Sequence, residues 1–221
     1  MTGLNLEILF IIILVLLAFY FFWYPQLRRS ENLRKIAIDL NIPFYPKGDD
    51  SLYDHLEYFH LFSMNSKSRI TNMLHQEDEE TELAFFDFTF EIGGGGSRDH
   101  GISYATRYQQ SVVYFCSHKL DLPQFVLQPE KKFHQFSDLQ DIDFSSHTKF
   151  SDDYLLQGNP EEPVRNLFNE GLLDFFESKP GLCVEGGANQ MLFYRLNERI
   201  SPNKLSQFLE EGMQVLAKFT K

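Results

Sequence analysis

Few stretches of this sequence combine residue types that could do chemistry. The most suggestive is GGGGSRDHG at residues 93–101, where Arg98, Asp99 and His100 stand together at the end of a glycine run. A guanidinium, a carboxylate and an imidazole on one loop could hold a charged ligand or assist a hydrolysis. The spacing restricts that idea. A P-loop needs GxxxxGK[ST] and a following helix; here no Lys-Ser/Thr follows, and the next segment reads as a strand. The dinucleotide pattern GxGxxG fails because Arg98 stands at the third glycine position. The G-x-S-x-G elbow fails around Ser97 because Asp99 fills its last place. Arg98, Asp99 and His100 remain the residues from which binding is expected.

Cys116 and His118 fall at i, i+2 on one strand face, the arrangement of a thiol nucleophile and its base, but no third residue orients the imidazole. The acidic run EDEETE (residues 77–82) and the Asp141-Ile142-Asp143 segment lack the alternating ligand spacing and glycine of a calcium loop, and no HExxH occurs. Cys116 and Cys183 form no CxxC and have no paired Cys/His spacing. No catalytic residue set, no metal site and no cofactor is therefore expected.

Whatever these residues do, a membrane anchor must position them. Residues 8–24 read ILFIIILVLLAFYFFWY without a charge. Extended to Leu4, the stretch would be roughly 31 Å of helix, one bilayer core. An aromatic block ends it, as suits the headgroup region, and Pro25 is expected to stop the helix there. A cleaved signal peptide fits poorly, since there is no basic n-region and the core is long. Arg28, Arg29, Arg34 and Lys35 all follow the span and no basic side chain precedes it. The positive-inside rule then places the C-terminal domain in the cytoplasm, on a single-pass protein of the inner (plasma) membrane.

Beyond Lys35 the chain holds 16 basic and 29 acidic residues, a net −13 against −11 for the whole. That balance excludes nucleic acid as a partner and predicts a domain that stands off anionic lipid, apart from its basic juxtamembrane cluster. The organisation expected is an anchor over residues 1–27, a juxtamembrane helix and linker over 28–57, and one α+β domain over 58–221. Leu33, Ile36, Ala37 and Leu40 line one face of a juxtamembrane helix over residues 31–40, expected to pack on the domain. Residues 43–57 read as loop and 58–62 as a first short strand. A hairpin over residues 68–92 turns at the acidic run, with Phe86, Phe88 and Phe90 on one face and Phe85, Asp87, Thr89 and Glu91 on the other. Residues 124–128, bracketed by Pro123 and Pro129, read as an edge strand. A helix over residues 160–177 with Asn159 as its cap, a hairpin across residues 186–189 and a final helix after Ser201-Pro202 follow. In that last helix Leu205, Phe208, Leu209, Met213, Leu216 and Phe219 face the core. Strands followed by helices, without βαβ alternation, predict an antiparallel sheet with two late amphipathic helices.

The arginine-rich exit from the anchor, the strand and loop over residues 86–95, the LPQFVLQPE segment (122–130) and the VEGG…LFYR hairpin (184–195) resemble a family of bacterial single-pass membrane-anchored proteins of unknown function. The resemblance implies membrane anchorage and one folded domain, with no reaction or site residue attached. The function expected is a non-catalytic interaction or regulatory domain held at the membrane, with a possible protein partner met at an apolar groove or open sheet edge. Two alternatives stand beside it: a lipid-headgroup-sensing domain of pleckstrin-like shape, and a membrane-anchored hydrolase using residues 93–101. Oligomeric state is not legible.

Overall fold

The computed structural model describes residues 2–63, 67–92, 106–130 and 140–220. Helix α1 (Thr2–Ala18) passes through one π-helical turn (Phe19–Trp23) directly into α2 (Tyr24–Asp39). The stretch Glu7–Asp39 contains a window long and apolar enough to cross a membrane, and none of that window is buried. Pro25 therefore does not stop the helix. A proline inside an α-helix removes one hydrogen bond and clashes with the carbonyl four residues back. Here the wider turn reroutes the ladder, with Tyr24 N–H donating to Phe19 O five residues back. Pro25 then falls in the first turn of α2, where a missing N–H is no loss. The juxtamembrane helix expected over residues 31–40 is the far end of this rod. It packs on the domain as expected, burying Leu33 and Ala37 completely while Leu40 stays exposed.

Eight strands form one antiparallel sheet: β1 (Phe44–Tyr45), β2 (Ser68–Glu77), β3 (Thr81–Ile92), β4 (Thr106–Ser117), β5 (Leu122–Pro129), β6 (Tyr154–Gly158), β7 (Cys183–Ala188) and β8 (Gln190–Tyr194). Their order is β1-β2-β3-β4-β8-β7-β5-β6, an open sheet ending in β1 and β6, so the pleckstrin-like shape is not what forms. The α+β antiparallel class is as expected, but several elements differ. Residues 124–128 lie in β5, between β7 and β6, and are not an edge. The prolines that suggested one are tolerated because Pro123 falls in a register shift and Pro129 is the last residue of the strand. Residues 58–62 are not a strand. Helices α3 (Asp50–Leu56) and α4 (His60–Ser63) occupy this region, and Leu52, Leu56, Phe59, Leu61 and Phe62 press onto the sheet.

Helices cover both faces. On one lie α2, α5 (Thr148–Asp153), α6 (Glu161–Leu167), α7 (Glu170–Glu177) and α8 (Leu205–Phe219), the last entered through a 3-10 turn (Pro202–Lys204). On the other lie α3 and α4. Phe86, Phe88 and Phe90 point to the α3 side and Phe85 to the α2 side, as the alternation predicts. The single helix expected over residues 160–177 is two helices, the first starting at Glu161 with Pro160 before it. Asn169 Oδ1 accepts from Leu172 N at 3.1 Å and caps α7, and the break lets Phe168 turn into the core. In α8 the core side includes Gly212 but not Met213, which is exposed. An added Cβ at Gly212 would lie 3.1 Å from Phe193 Cδ1, so a small residue lets the helix settle on the sheet.

Gly158 closes β6 against α6. A Cβ there would sit 2.5 Å from Val164 Cγ2 and 2.7 Å from the backbone oxygen of Gln124, with nowhere for the latter to go. Gly158→Ala is expected to cost about 2–3 kcal/mol, at the upper end of overpacking penalties, read by denaturant unfolding.

The outer edge of β6 is not left bare. Ile142 N–H donates to Leu156 O at 2.8 Å, and Asp141 Oδ1 accepts from Leu156 N at 2.9 Å. Burial pushes the Asp141 carboxyl up to about 6, only partly offset by that bond, with Asp143 adding to the rise. A folded value above the unfolded one favours folding most at low pH, and the advantage fades as pH rises through about 6. Asp141→Asn keeps the acceptor and removes the charge. It is expected to stabilise the domain at pH 7 by on the order of 1 kcal/mol, screened because the side chain is half-exposed. A melting series from pH 4 to pH 8 would check this, the gain over the parent shrinking toward the acid end.

Candidate functional site

Asp87 lies on the α2 side of β3 and is 1% exposed. Burial alone would push its carboxyl up, but the surrounding donors reverse that. Arg29 grips it with two nitrogens, Nε to Oδ2 at 2.7 Å and Nη2 to Oδ1 at 2.6 Å. Arg199 Nη2 reaches Oδ2 at 3.0 Å, Asn72 Nδ2 reaches Oδ2 at 2.9 Å and Ser111 Oγ donates to Oδ1 at 3.0 Å. The net effect holds Asp87 below the usual carboxylate range, with Arg29 the leading cause and Arg199 and Asn72 adding to it.

Each partner is itself placed by the fold. Asn72 has φ 54 at the register shift between Thr71 and Leu74, a left-handed position that asparagine tolerates. Arg29 also donates to Ile200 O at 2.6 Å, and Arg199 Nη1 donates to Gln26 Oε1 at 3.0 Å. Side chains from the anchor helix, β2, β3, β4 and the segment after β8 thus converge on one carboxylate. The Ser111 hydroxyl is fully engaged, accepting from Arg29 Nη2 at 3.2 Å and Ile200 N at 3.1 Å, and every oxygen of Asp87 is occupied. The chemistry of the node is mechanical: it fixes the anchor helix to the sheet.

Glu185 on β7 is the other buried carboxylate among the described residues, on the α3 side, and burial raises its pKa. Tyr194 OH donates to it at 2.8 Å, and the Leu61 N–H at the start of α4 points at both oxygens at 3.2 Å. These bonds, with His60 nearby, moderate the rise. Glu185 ties α4 to the sheet.

Arg98, Asp99 and His100 lie outside the described residues, as does the whole loop over residues 93–105. Cys116 and His118 are not a catalytic pair. Burial raises the Cys116 thiol, with Glu82 adding to the rise, and Asn189 Nδ2 donates to its sulfur at 3.2 Å. His118 lies exposed past the strand end. Cys183 pairs in register with Tyr194, which faces Val112. The two cysteines are therefore four residues and two strands apart, about 16 Å, too far for a disulfide, so thiol pairing cannot report on the compartment. Among the described residues no group of three or more His, Cys, Asp and Glu side chains could hold a metal.

A concave apolar surface is present, but not as the edge expected at residues 124–128. A cleft of about 310 Å³ is lined by Tyr58, Phe59, Gln124, Gly186, Gly187, Ala188 and Gln190. Gly187 leaves its floor open, since an added Cβ would meet only Gln124 Cα at 3.9 Å. Tyr58 stands at the rim, 80% exposed, and Gln124 Nε2 donates to its backbone oxygen at 3.4 Å. The cleft lies far from the anchor: Gln190 pairs with Cys116, and Cys116 with Glu82, at the end of the sheet opposite Ile92 and Thr106. Sequence reading gave the turn four residues, 186–189. Gly186 and Gly187 are still strand, and the reversal is confined to the end of that stretch, at Ala188 with φ 50 and Asn189.

An open antiparallel sheet with helices on both faces and an apolar helix bolted to it define a membrane-tethered domain. The sequence matches no protein-family model and no curated protein. Among solved structures the chain is similar to the mycobacterial trehalose monomycolate transport factor A, TtfA, with a TM-score of 0.58 at 9% identity, covering 86% of this chain and 92% of that one. At this identity the likeness is one of fold.

Proposed function

We propose that this chain is a non-catalytic interaction module of the bacterial inner membrane, which holds a protein partner through the apolar cleft at Tyr58. The cleft carries the reading: it is concave, mostly apolar and floored by glycine, and an exposed tyrosine at such a rim is a typical interface anchor. The fixed node at Asp87 supports it, because a rigidly mounted domain presents its outer end at a set height above the bilayer. The fold likeness to a transport factor favours service to membrane machinery over independent chemistry.

The test is a photo-crosslinking residue at position 58 in the full chain, in intact membranes. One discrete protein adduct, lost when Gly187→Trp fills the cleft, supports the reading. No adduct, or one unaffected by filling the cleft, overturns it. The arginines after the span favour a cytoplasmic domain. It would show as labelling of Lys119→Cys, an exposed position, by an impermeant thiol reagent only after the membrane is opened.

A further inference from the structure

We infer that the anchor-proximal end of the sheet is a second membrane contact, a basic surface seated on anionic lipid headgroups. The inference rests on membrane tethering and is independent of the partner at the cleft.

Direction comes first. Asp87, level with Arg29, is followed on β3 by residues 88–92, while Leu33 and Ala37 further along α2 join Leu74 and Phe85 in one core. The last part of β3 and the first of β4 therefore run toward the membrane-spanning side of Arg29. Five strand residues extend up to about 16 Å. The aromatic belt at Tyr24 is only about 7.5 Å of helix from Arg29. Any inclination of the strands to the helix below about 60° brings this end of the sheet to headgroup depth.

Charge comes second. On the α2-side face of this end, Arg69 pairs with Thr89, and Arg107 with Glu91. Arg69 and Arg107 are exposed, as are Lys67 just before β2 and Arg28 on the anchor, which lies over the Tyr24 ring at 5.2 Å. Among the described residues, Glu91 and the exposed Glu198 stand against these four cations. The opposite end of the same sheet carries Glu77, Asp78, Glu79 and Glu80 in a row. The net −13 beyond Lys35 is thus unevenly spread: the end facing lipid is basic and the far tip is acidic. Whole-domain charge predicted repulsion from an anionic leaflet, and the arrangement reverses it locally. The bilayer is the occupant these facts select, because the span delivers this surface to it.

The test uses the full chain in lipid nanodiscs, with Cys116 and Cys183 replaced and an environment-sensitive fluorophore on Thr106→Cys, quenched by brominated lipid. Thr81→Cys, at the far end of β3, is the control. Discs of phosphatidylcholine alone are compared with discs containing phosphatidylglycerol. Quenching at position 106 is expected to rise roughly twofold with the anionic lipid, to fall back in high salt, and to lose its lipid dependence in Arg69→Glu/Arg107→Glu, with none at position 81. Equal quenching at position 106 in both lipids, or an anionic effect that survives the double variant, would overturn the inference. The exposed Tyr58 and its cleft are untouched by these changes, so crosslinking there reports separately.

Discussion

Asp87→Ala is expected to cost about 3–5 kcal/mol and to release the anchor helix from the sheet, the penalty typical of stranding buried charge. The residue receives five side-chain hydrogen bonds, three of them from guanidinium nitrogens. Without the carboxylate, Arg29 and Arg199 remain part-buried, with only the neutral acceptors Ile200 O, Ser111 Oγ, Gln26 Oε1 and Gln109 Oε1 left to them. The pair should behave as a unit. In a double-mutant cycle with Arg29→Ala, the double variant is expected to cost less than the two singles added. The same node predicts an acid limb. A depressed carboxylate contributes stability above its unfolded pKa near 4, and the contribution is lost as pH falls through the lower folded value. Stability should therefore fall steeply below pH 4 in the parent, and the limb should flatten in Asp87→Ala. Denaturant unfolding in detergent across this range checks both expectations.

The second large effect is expected at Phe168. Its ring lies 5.3 Å from that of Phe125 and 6.1 Å from those of Phe150, Phe176 and Phe219, all buried on the α2 side. Truncation to alanine leaves a hole among four rigid rings that cannot rotate to close it. A loss of about 3–5 kcal/mol is expected, and Phe168→Leu, which refills part of the volume, should lose clearly less. Comparing the unfolding midpoints of the two variants gives the result.

The sequence carried the anchor, the alternating phenylalanines of β3, the two late hairpin strands and the packing face of α2, because each rests on a period or a run read within one segment. It missed what depends on distant partners. Asp87 was read only as sharing a strand face with Phe85, Thr89 and Glu91. Its burial follows only once α2 lies across it, bringing Arg29 from 58 positions away. Strand β5 looked like an edge because its prolines were visible while the register shift that tolerates one of them was not. The cleft was missed because Gly186-Gly187 resembles a turn locally, and only β5 beside it and Tyr58 above it give the pair a wall and a rim.

The π-helical turn at Phe19–Trp23 has a geometric consequence for the whole assembly. Inserting one residue into a helix advances every later side chain by about 100° around the axis. The membrane-embedded faces of α1 are thus set at a fixed angular phase to Arg29, which Asp87 holds still. Deleting one residue within the span would leave the sheet folded and the latch closed while turning the lipid-facing stripe by about a quarter of a circle. Any neighbour within the bilayer that reads a particular stripe of this helix is therefore keyed to the orientation of the sheet outside it, as a shaft is keyed to its wheel.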